Sequence, residues 1–248
     1  GTALNAWYRV LASWSTTEIM RFATWWDTGE NIDQLLWVIG TDNVSKWSGA
    51  AAVVLSVTGA TITKAGTNTF AQNRFYTTGS KTLINTRTGT EYVYTGGEST
   101  TTLTGIADTT DITVGDVLVQ KPVTHATEPA SGRNNHTVFV FENQVMLGSE
   151  DDNEVFISKN DDITSYAFSA PRVPGEGALL TLDGPSRGMG SVGKNMIAFA
   201  GEHGIFRAEY EQITVGSTLA ETLKVKKLDT ASKQGSFGPD SVIQVADA

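Results

Sequence analysis

"NMIAFAGEHGIFRAEY", Asn195 to Tyr210, joins an apolar run (Met196, Ile197, Ala198, Phe199, Ala200) to a polar turn from Gly201 to Gly204. A second run with aromatics follows at once (Ile205, Phe206, Tyr210). Short apolar runs on either side of a glycine-bounded turn predict a β-hairpin. The fold depends on whether this hairpin stands alone or is the unit from which the chain is built. It recurs. In "QLLWVIGTDNVSKWSG" (Gln34 to Gly49), Leu35 to Ile39 run in, Gly40 to Asn43 turn, and Val44 and Trp47 return. In "NQVMLGSEDDNEVFISKNDD" (Asn143 to Asp162), Val145 to Leu147 run in, Gly148 to Asn153 turn, and Val155, Phe156 and Ile157 run out. A weaker copy begins in "DSVIQVADA" (Asp240 to Ala248).

A lone hairpin is marginal in water, because one of its faces has nothing to bury against. Several hairpins set side by side around a common axis cover one another, which is the logic of β-propeller blades. The spacing agrees. Val145 to Met196 is about 51 residues and Met196 to Val242 about 46, near the roughly 40–50 of blade repeats. Leu35 to Val145 is about 110, an excess of roughly 60.

That excess has its own character. From Val54 to Gln120 the chain is rich in threonine and glycine: "VVLSVTGATITKAG", "RFYTTGSKTLINTRTGTEYVYTGGESTTTLTGI", "DITVGDVLVQ". In "TEYVYTGG", Tyr92 and Tyr94 share one face and Val93 takes the other, and a tight turn at Gly115–Asp116 precedes the strand "VLVQ". The expectation is an all-β chain of propeller-like blades, as an incomplete or fragment propeller, with a small β-barrel or sandwich module inserted. Residues 1–53 carry the first propeller strands, 54–121 the module and 122–248 further blades continuous with 1–53. An irregular extra blade is the alternative for the middle stretch. Near the start, "TEIMRFATWW" places Ile19, Phe22 and Trp26 at helical spacing with Thr17 as a cap, yet it also alternates; length and aromatic content favour a strand.

Composition narrows the function classes. The chain has 248 residues, 40% hydrophobic and 18% charged, enough for a sizeable core. It has no cysteine, which excludes disulfides, thiolate metal sites and cysteine nucleophiles. A net charge of −9 argues against sequence-specific nucleic-acid binding. Lys224, Lys226 and Lys227 in "LKVKKLD" form the one dense basic cluster and read as a solvated, edge-blunting strand face. No apolar run is long enough to predict a membrane span. The opening "GTALNAW" has neither a methionine nor a charged leader, and "SVIQVADA" ends part-way through a strand, so a segment of a longer or processed protein is expected.

Each candidate for chemistry has a structural reading that is preferred. Glu150, Asp151, Asp152 and Glu154, with Asn153, could hold Ca²⁺, but their order matches no calcium loop and a solvated hairpin tip suffices. Asp161 and Asp162 read as turn formers before Ile163. His125, His136 and His203 lack zinc spacing. "GMGSVG" satisfies a dinucleotide pattern at Gly188, Gly190 and Gly193, but a strand rather than a helix follows, so it reads as a loop between blades. Trp25 and Trp26 could stack on sugar rings, or pack between blades. Nothing selects a carboxylate pair for glycoside hydrolysis. No catalytic, cofactor-binding or metal-ligating residue is assigned, and the chain is not expected to be an enzyme.

Together, "LLWVIGTDNVSKWSG", "GTEYVYTGGESTTTLTGI", "VGDVLVQ" and "VFISKNDDITSYAFSAPRVPGEGALLTLDGP" resemble bacteriophage tail structural proteins with a β-propeller body, the nozzle or tail-tube-end class. "GSFGPDSVIQVAD" is similar to a blade opening in such proteins. The resemblance runs from about Leu35 to the end and is weakest over the first thirty residues. It implies a virion protein made in the bacterial host cytoplasm and repeated as a ring around the tail axis, through which DNA passes. Its partners would be further copies and other tail proteins. A carbohydrate-binding adhesin that recognises a host surface glycan, and a polysaccharide-degrading tail enzyme, are the alternatives.

Overall fold

The computed structural model describes residues 20–40, 42–125, 135–149, 151–199 and 204–228. These residues form strands and turns, with no helix among them and so none long and apolar enough to cross a membrane. The first strands are β1 (Met20–Asp27), β2 (Ile32–Ile39) and β3 (Asp42–Trp47). Next come β4 (Ala51–Thr58), β5 (Thr61–Lys64), β6 (Thr82–Asn85), β7 (Glu91–Val93), β8 (Thr102–Leu103), β9 (Val117–Gln120) and β10 (Val123–Thr124). Then follow β11 (Asn135–Phe141), β12 (Gln144–Ser149), β13 (Glu154–Ile157) and β14 (Ala178–Thr181). The last are β15 (Gly188–Val192), β16 (Asn195–Phe199), β17 (Ile205–Val215) and β18 (Thr218–Leu228).

The stretch with two competing periods, "MRFATWWD", is a strand. Trp25 and Asp27 are buried while Phe22 and Trp26 are exposed, the alternation a strand imposes. A helix would have grouped Phe22 and Trp26 on its buried stripe.

Three four-stranded antiparallel sheets hold the recurring hairpins: β1-β2-β3-β10, β11-β12-β13-β14 and β15-β16-β17-β18. In each sheet the repeated stretch supplies the second and third strands, β2–β3, β12–β13 and β16–β17. Leu35, Val145 and Met196 therefore all lie on second strands. Their burial differs: Val145 and Met196 are fully covered, whereas Leu35 is exposed. The fourth copy, Asp240–Ala248, lies outside the described residues, as do Thr17 and Ile19.

The glycine-rich "GMGSVG" departs from its expectation. It is not a loop: Gly188–Val192 is β15, paired antiparallel with β16 from Gly188↔Phe199 to Val192↔Asn195. Glycine weakens a strand but does not forbid one when the neighbouring strand supplies the ladder and Met189 has a core to enter.

Contact density divides the chain into two compact units. The described part of one comprises Trp26–Leu35 and Ser45–Thr124; that of the other comprises residues 20–25, 36–40, 42–44, 125, 135–149, 151–199 and 204–228. The latter unit has two apolar layers. In one, Trp25, Leu36, Val38 and Val44 pack with Val145, Leu147 and Ile163. In the other, Phe141, Met146, Val155, Ile157, Ala178 and Leu180 pack with Met189, Met196, Ala198, Phe206 and Ala208. Strand β12 sits between the layers. Its odd residues Val145 and Leu147 enter the first and Met146 the second, so the whole strand is buried. That explains why "QVMLGS" reads as a short apolar run without alternation. Beyond β16, β17 and β18 continue as a paired ribbon to Val215↔Thr218.

The first unit is built on a six-stranded sheet, β7-β6-β9-β4-β5-β8. Strand β4 pairs with β9 through Ala51–Val53 and with β5 from Val54 onward, with a register shift between Val54 and Ser56. A bulge of this kind bends a strand and raises its twist, which curls the sheet into a half-barrel. Just beyond the ends of β7 and β8 the chain pairs at an isolated bridge, Gly96↔Thr104. Glycine is required there: a Cβ on Gly97 (φ 94°) would lie 2.0 Å from the Thr102 carbonyl, and one on Gly105 (φ 72°) 1.9 Å from Thr95 Oγ1. Inside, Val54, Ile62, Phe70, Phe75, Leu83, Tyr94, Leu103, Ile106 and Leu118 form one core. Phe70 and Phe75 meet edge to face with centroids 5.0 Å apart.

Candidate functional site

The densest buried polar arrangement is in the first unit. Asp27 ends β1, and its Oδ1 accepts the backbone N–H groups of Gly29 (3.0 Å) and Glu30 (3.2 Å), closing the turn into β2. Its Oδ2 accepts Lys46 Nζ (2.7 Å) and the Gln34 side-chain amide. The Tyr76 hydroxyl donates to Gln34 Oε1 at 2.7 Å. Gln120, buried on β9, accepts the Tyr76 N–H (3.2 Å) and donates to the carbonyls of Ser80 (3.1 Å) and Thr82 (2.8 Å). The Tyr94 hydroxyl shares one proton between Tyr76 O (2.7 Å) and Gln120 Oε1 (2.9 Å). Lys46 Nζ also lies 5.7 Å from the Tyr76 ring centroid.

Burial pushes the Tyr76 phenol far above its ordinary range, with Asp27 and Glu30 adding to the shift. Tyr94 is raised in the same way, by burial first and then by Glu98 and Glu30. Both phenols stay neutral and act as hydrogen-bond donors. As donors they tie the 76–82 segment to Gln34 and Gln120.

A second centre in this unit is Asp116. Its carboxylate accepts Arg87 Nε (2.7 Å), Asn85 Nδ2 (2.8 Å) and the Thr113 N–H (2.9 Å). The Arg87 guanidinium, helped by those other donors, holds the carboxyl well below the usual range despite its burial.

In the other unit, Arg172 is buried. Its Nε donates to Gly177 O (2.8 Å), its Nη2 to Glu176 O, and its Nη1 pairs with Glu221 of β18. The guanidinium carbon lies 4.8 Å from the Tyr210 ring centroid. The Glu221 N–H returns a bond to Arg172 O at 2.9 Å. Tyr210 donates to Gln144 Oε1, and Gln144 Nε2 donates to Ser158 O (2.6 Å) and Glu176 O (3.0 Å). These contacts tie the 158–177 loop to the β17–β18 ribbon.

The residues singled out in the sequence are distributed otherwise. In the acidic turn, Asp152 caps the Glu154 N–H (2.9 Å) and Asn153 donates to Leu182 O (2.9 Å); Glu150 lies outside the described residues. Asp162 accepts both the Thr164 N–H (2.9 Å) and its hydroxyl (2.6 Å) before Ile163 enters the core. Among the described residues, no three His, Cys, Asp or Glu side chains are grouped to hold a metal. His125 follows β10, His136 lies on β11, and His203 is outside the described residues. Trp25 is core and donates to Asn143 O (3.3 Å), whereas Trp26 is 42% exposed. The three lysines lie on β18, an edge strand: Lys227 pairs with Asp183 (2.6 Å) and Lys224 with Glu211 (3.4 Å). Sequence reasoning missed Gln34, Tyr76, Gln120 and Arg172. Each has a partner more than forty residues away, Gln34 and Gln120 through Tyr76 and Arg172 through Glu221, and no local spacing marks them. Comparison of the chain with family models, curated proteins and solved structures finds no match.

Proposed function

We propose that this chain is a structural component of a bacteriophage tail, of the nozzle or tail-tube-end kind. In this reading the three four-stranded sheets are successive blades of a propeller-like body. The six-stranded half-barrel is a module inserted between the third and fourth strands of the first blade. The observation that carries the reading is the recurrence of one hairpin as the second and third strands of every four-stranded sheet, together with the burial of β12 on both faces. Sheets covered on both sides by like neighbours are how propeller blades bury apolar surface. The function is then mechanical: stiff blades form a wall, and copies associate around an axis through closing heterologous contacts. The resemblance supplies the tail assignment and the blades are consistent with it. Electron microscopy of the tail from which the chain comes, with antibody labelling of this protein, tests the proposal. An axial ring of label is expected; label on side fibres alone, or none on the virion, overturns it.

The exposed Trp26 favours a second reading, a glycan-binding adhesin, since an indole face open to solvent can stack on a sugar ring. A glycan array separates the two: saturable binding lost in Trp26→Ala supports the adhesin.

A further inference from the structure

Thr77 and Thr78 direct four donors at a single carboxylate. Glu30 Oε2 accepts the Thr77 N–H (2.7 Å) and hydroxyl (2.9 Å). Glu30 Oε1 accepts the Thr78 N–H (2.8 Å) and hydroxyl (2.6 Å). Two successive backbone amides facing one way make an anion-binding concavity, and the flanking hydroxyls extend it. Both threonines are exposed, Gly79 beside them has φ 64°, and the space around its Cβ position is open. We infer that Thr77–Thr78 is a preformed oxyanion site, occupied in this structure by the chain's own Glu30 and able to take an external carboxylate or phosphate-type anion in its place.

The inference rests on how the two halves are held. The cradle is anchored from behind by Tyr76, whose N–H bonds Gln120, whose carbonyl accepts Tyr94 and whose hydroxyl donates to Gln34. The turn carrying Glu30 is closed by Asp27, through the N–H groups of Gly29 and Glu30. None of these anchoring bonds runs through the Glu30 carboxylate, so each half has supports of its own. Glu30 is thus a tethered ligand, and its tether supplies a local concentration an external anion must overcome. The four donors are neutral, so geometry rather than net charge selects the ligand, and millimolar affinity is the scale to look for. The inference is independent of the tail assignment.

The test follows the Thr77 and Thr78 amides of the ¹⁵N-labelled full chain by NMR, with sodium acetate and inorganic phosphate as separate probes at constant ionic strength. In Glu30→Ala, at least one probe should give saturable shifts at both amides. The wild type should need roughly tenfold more of the same anion, or show no saturation. Adding Thr78→Val to Glu30→Ala should weaken binding by about threefold or more, since one charge-assisted hydrogen bond is lost. Glu30→Gln serves as a second variant that keeps the side-chain volume. Absence of saturation in both Glu30 variants overturns the inference, and so does equal affinity in the wild type. Displacement of the Tyr76 and Gln120 signals in both variants before any anion is added also overturns it, because the cradle would then depend on its occupant.

Discussion

Among the contacts that join the β17–β18 ribbon to the rest of its unit is the buried Arg172–Glu221 pair, and removing Arg172 should be costly for a definable reason. Arg172→Met leaves the Glu221 carboxylate buried without its cation, and the carbonyls of Glu176 and Gly177 lose donors. The side chains of both partners are nearly covered, at 8% and 11% exposure, so water rescues neither. Breaking a buried pair from one side costs about 3–5 kcal/mol, and lost stacking on Tyr210 lies within that range. With a urea dependence of about 3 kcal/mol per molar, the unfolding midpoint should fall by roughly 1–1.7 M. The double variant Arg172→Met/Glu221→Leu removes both charges and puts apolar volume in their place. It should recover at least half of the loss, because the penalty belongs to the orphaned carboxylate and not to the missing pair. Urea unfolding followed by tryptophan fluorescence measures all four corners of the cycle. A midpoint change below about 0.3 M for Arg172→Met would refute the reasoning, as would a double variant with strictly additive losses.

Three further outcomes follow from other sites. Asp116 has a folded-state pKa depressed chiefly by Arg87, so its stabilisation is complete above the unfolded carboxyl's range, near pH 4, and drains away as pH falls below it. Asp116→Asn should cost about 1–3 kcal/mol at pH 7, and the gap from wild type should narrow by pH 3; an unchanged gap in urea midpoints contradicts this. Lys64 is buried, its amine has Ala65 O at 3.3 Å and the Phe70 ring centroid at 5.8 Å, and burial lowers its pKa. Lys64→Met should raise stability by about 1 kcal/mol, or roughly 2–4 °C in Tm; a lower Tm by calorimetry speaks against it. Strand β10 pairs with β3 at Val123↔Lys46, so replacing residues 49–121 with a short Asn-Gly turn should leave a cooperatively folding body, less stable for loss of the Tyr76–Gln34 bond. Loss of dispersed NMR signals throughout the shortened chain would defeat the insertion reading.

What the sequence made legible was the part of the fold that repeats. An apolar run, a turn and a second run can be recognised without knowing what covers them, and the three such stretches fall on equivalent strands. Alternation was equally readable wherever one face of a strand meets a core and the other meets solvent. Tyr92 and Tyr94 are buried and Val93 is 61% exposed. Where that asymmetry disappears, so does the signal. Strand β12 is covered on both sides, and Gly148, expected to open the turn, is paired within it instead, so only its length distinguishes it from a buried helical turn. "GMGSVG" failed for the opposite reason. Its small residues carry no periodicity, and its strand character comes from the ladder offered by Asn195–Phe199 rather than from its own side chains.

The polar centres mark the limit more sharply. Gln34, Tyr76 and Gln120 are separated by more than forty residues at each step, and each is ordinary in its local context. They become a unit only when the half-barrel sets β9 beside the segment that carries Tyr76. Asp27 shows the two scales within one side chain: its bonds to Gly29 and Glu30 are local turn chemistry that "WDTGE" announces, while its bonds to Lys46 and Gln34 depend on strand pairing. The Glu30 cradle belongs to the second kind. "EN" and "YTTGS" are unremarkable apart, and their meeting across 47 residues is a product of the fold. A short motif can therefore announce a site only when its residues are neighbours in the chain. In a threonine- and glycine-rich sheet protein, where donors are abundant and charges few, sites of this neutral kind will go unseen until the strands are paired.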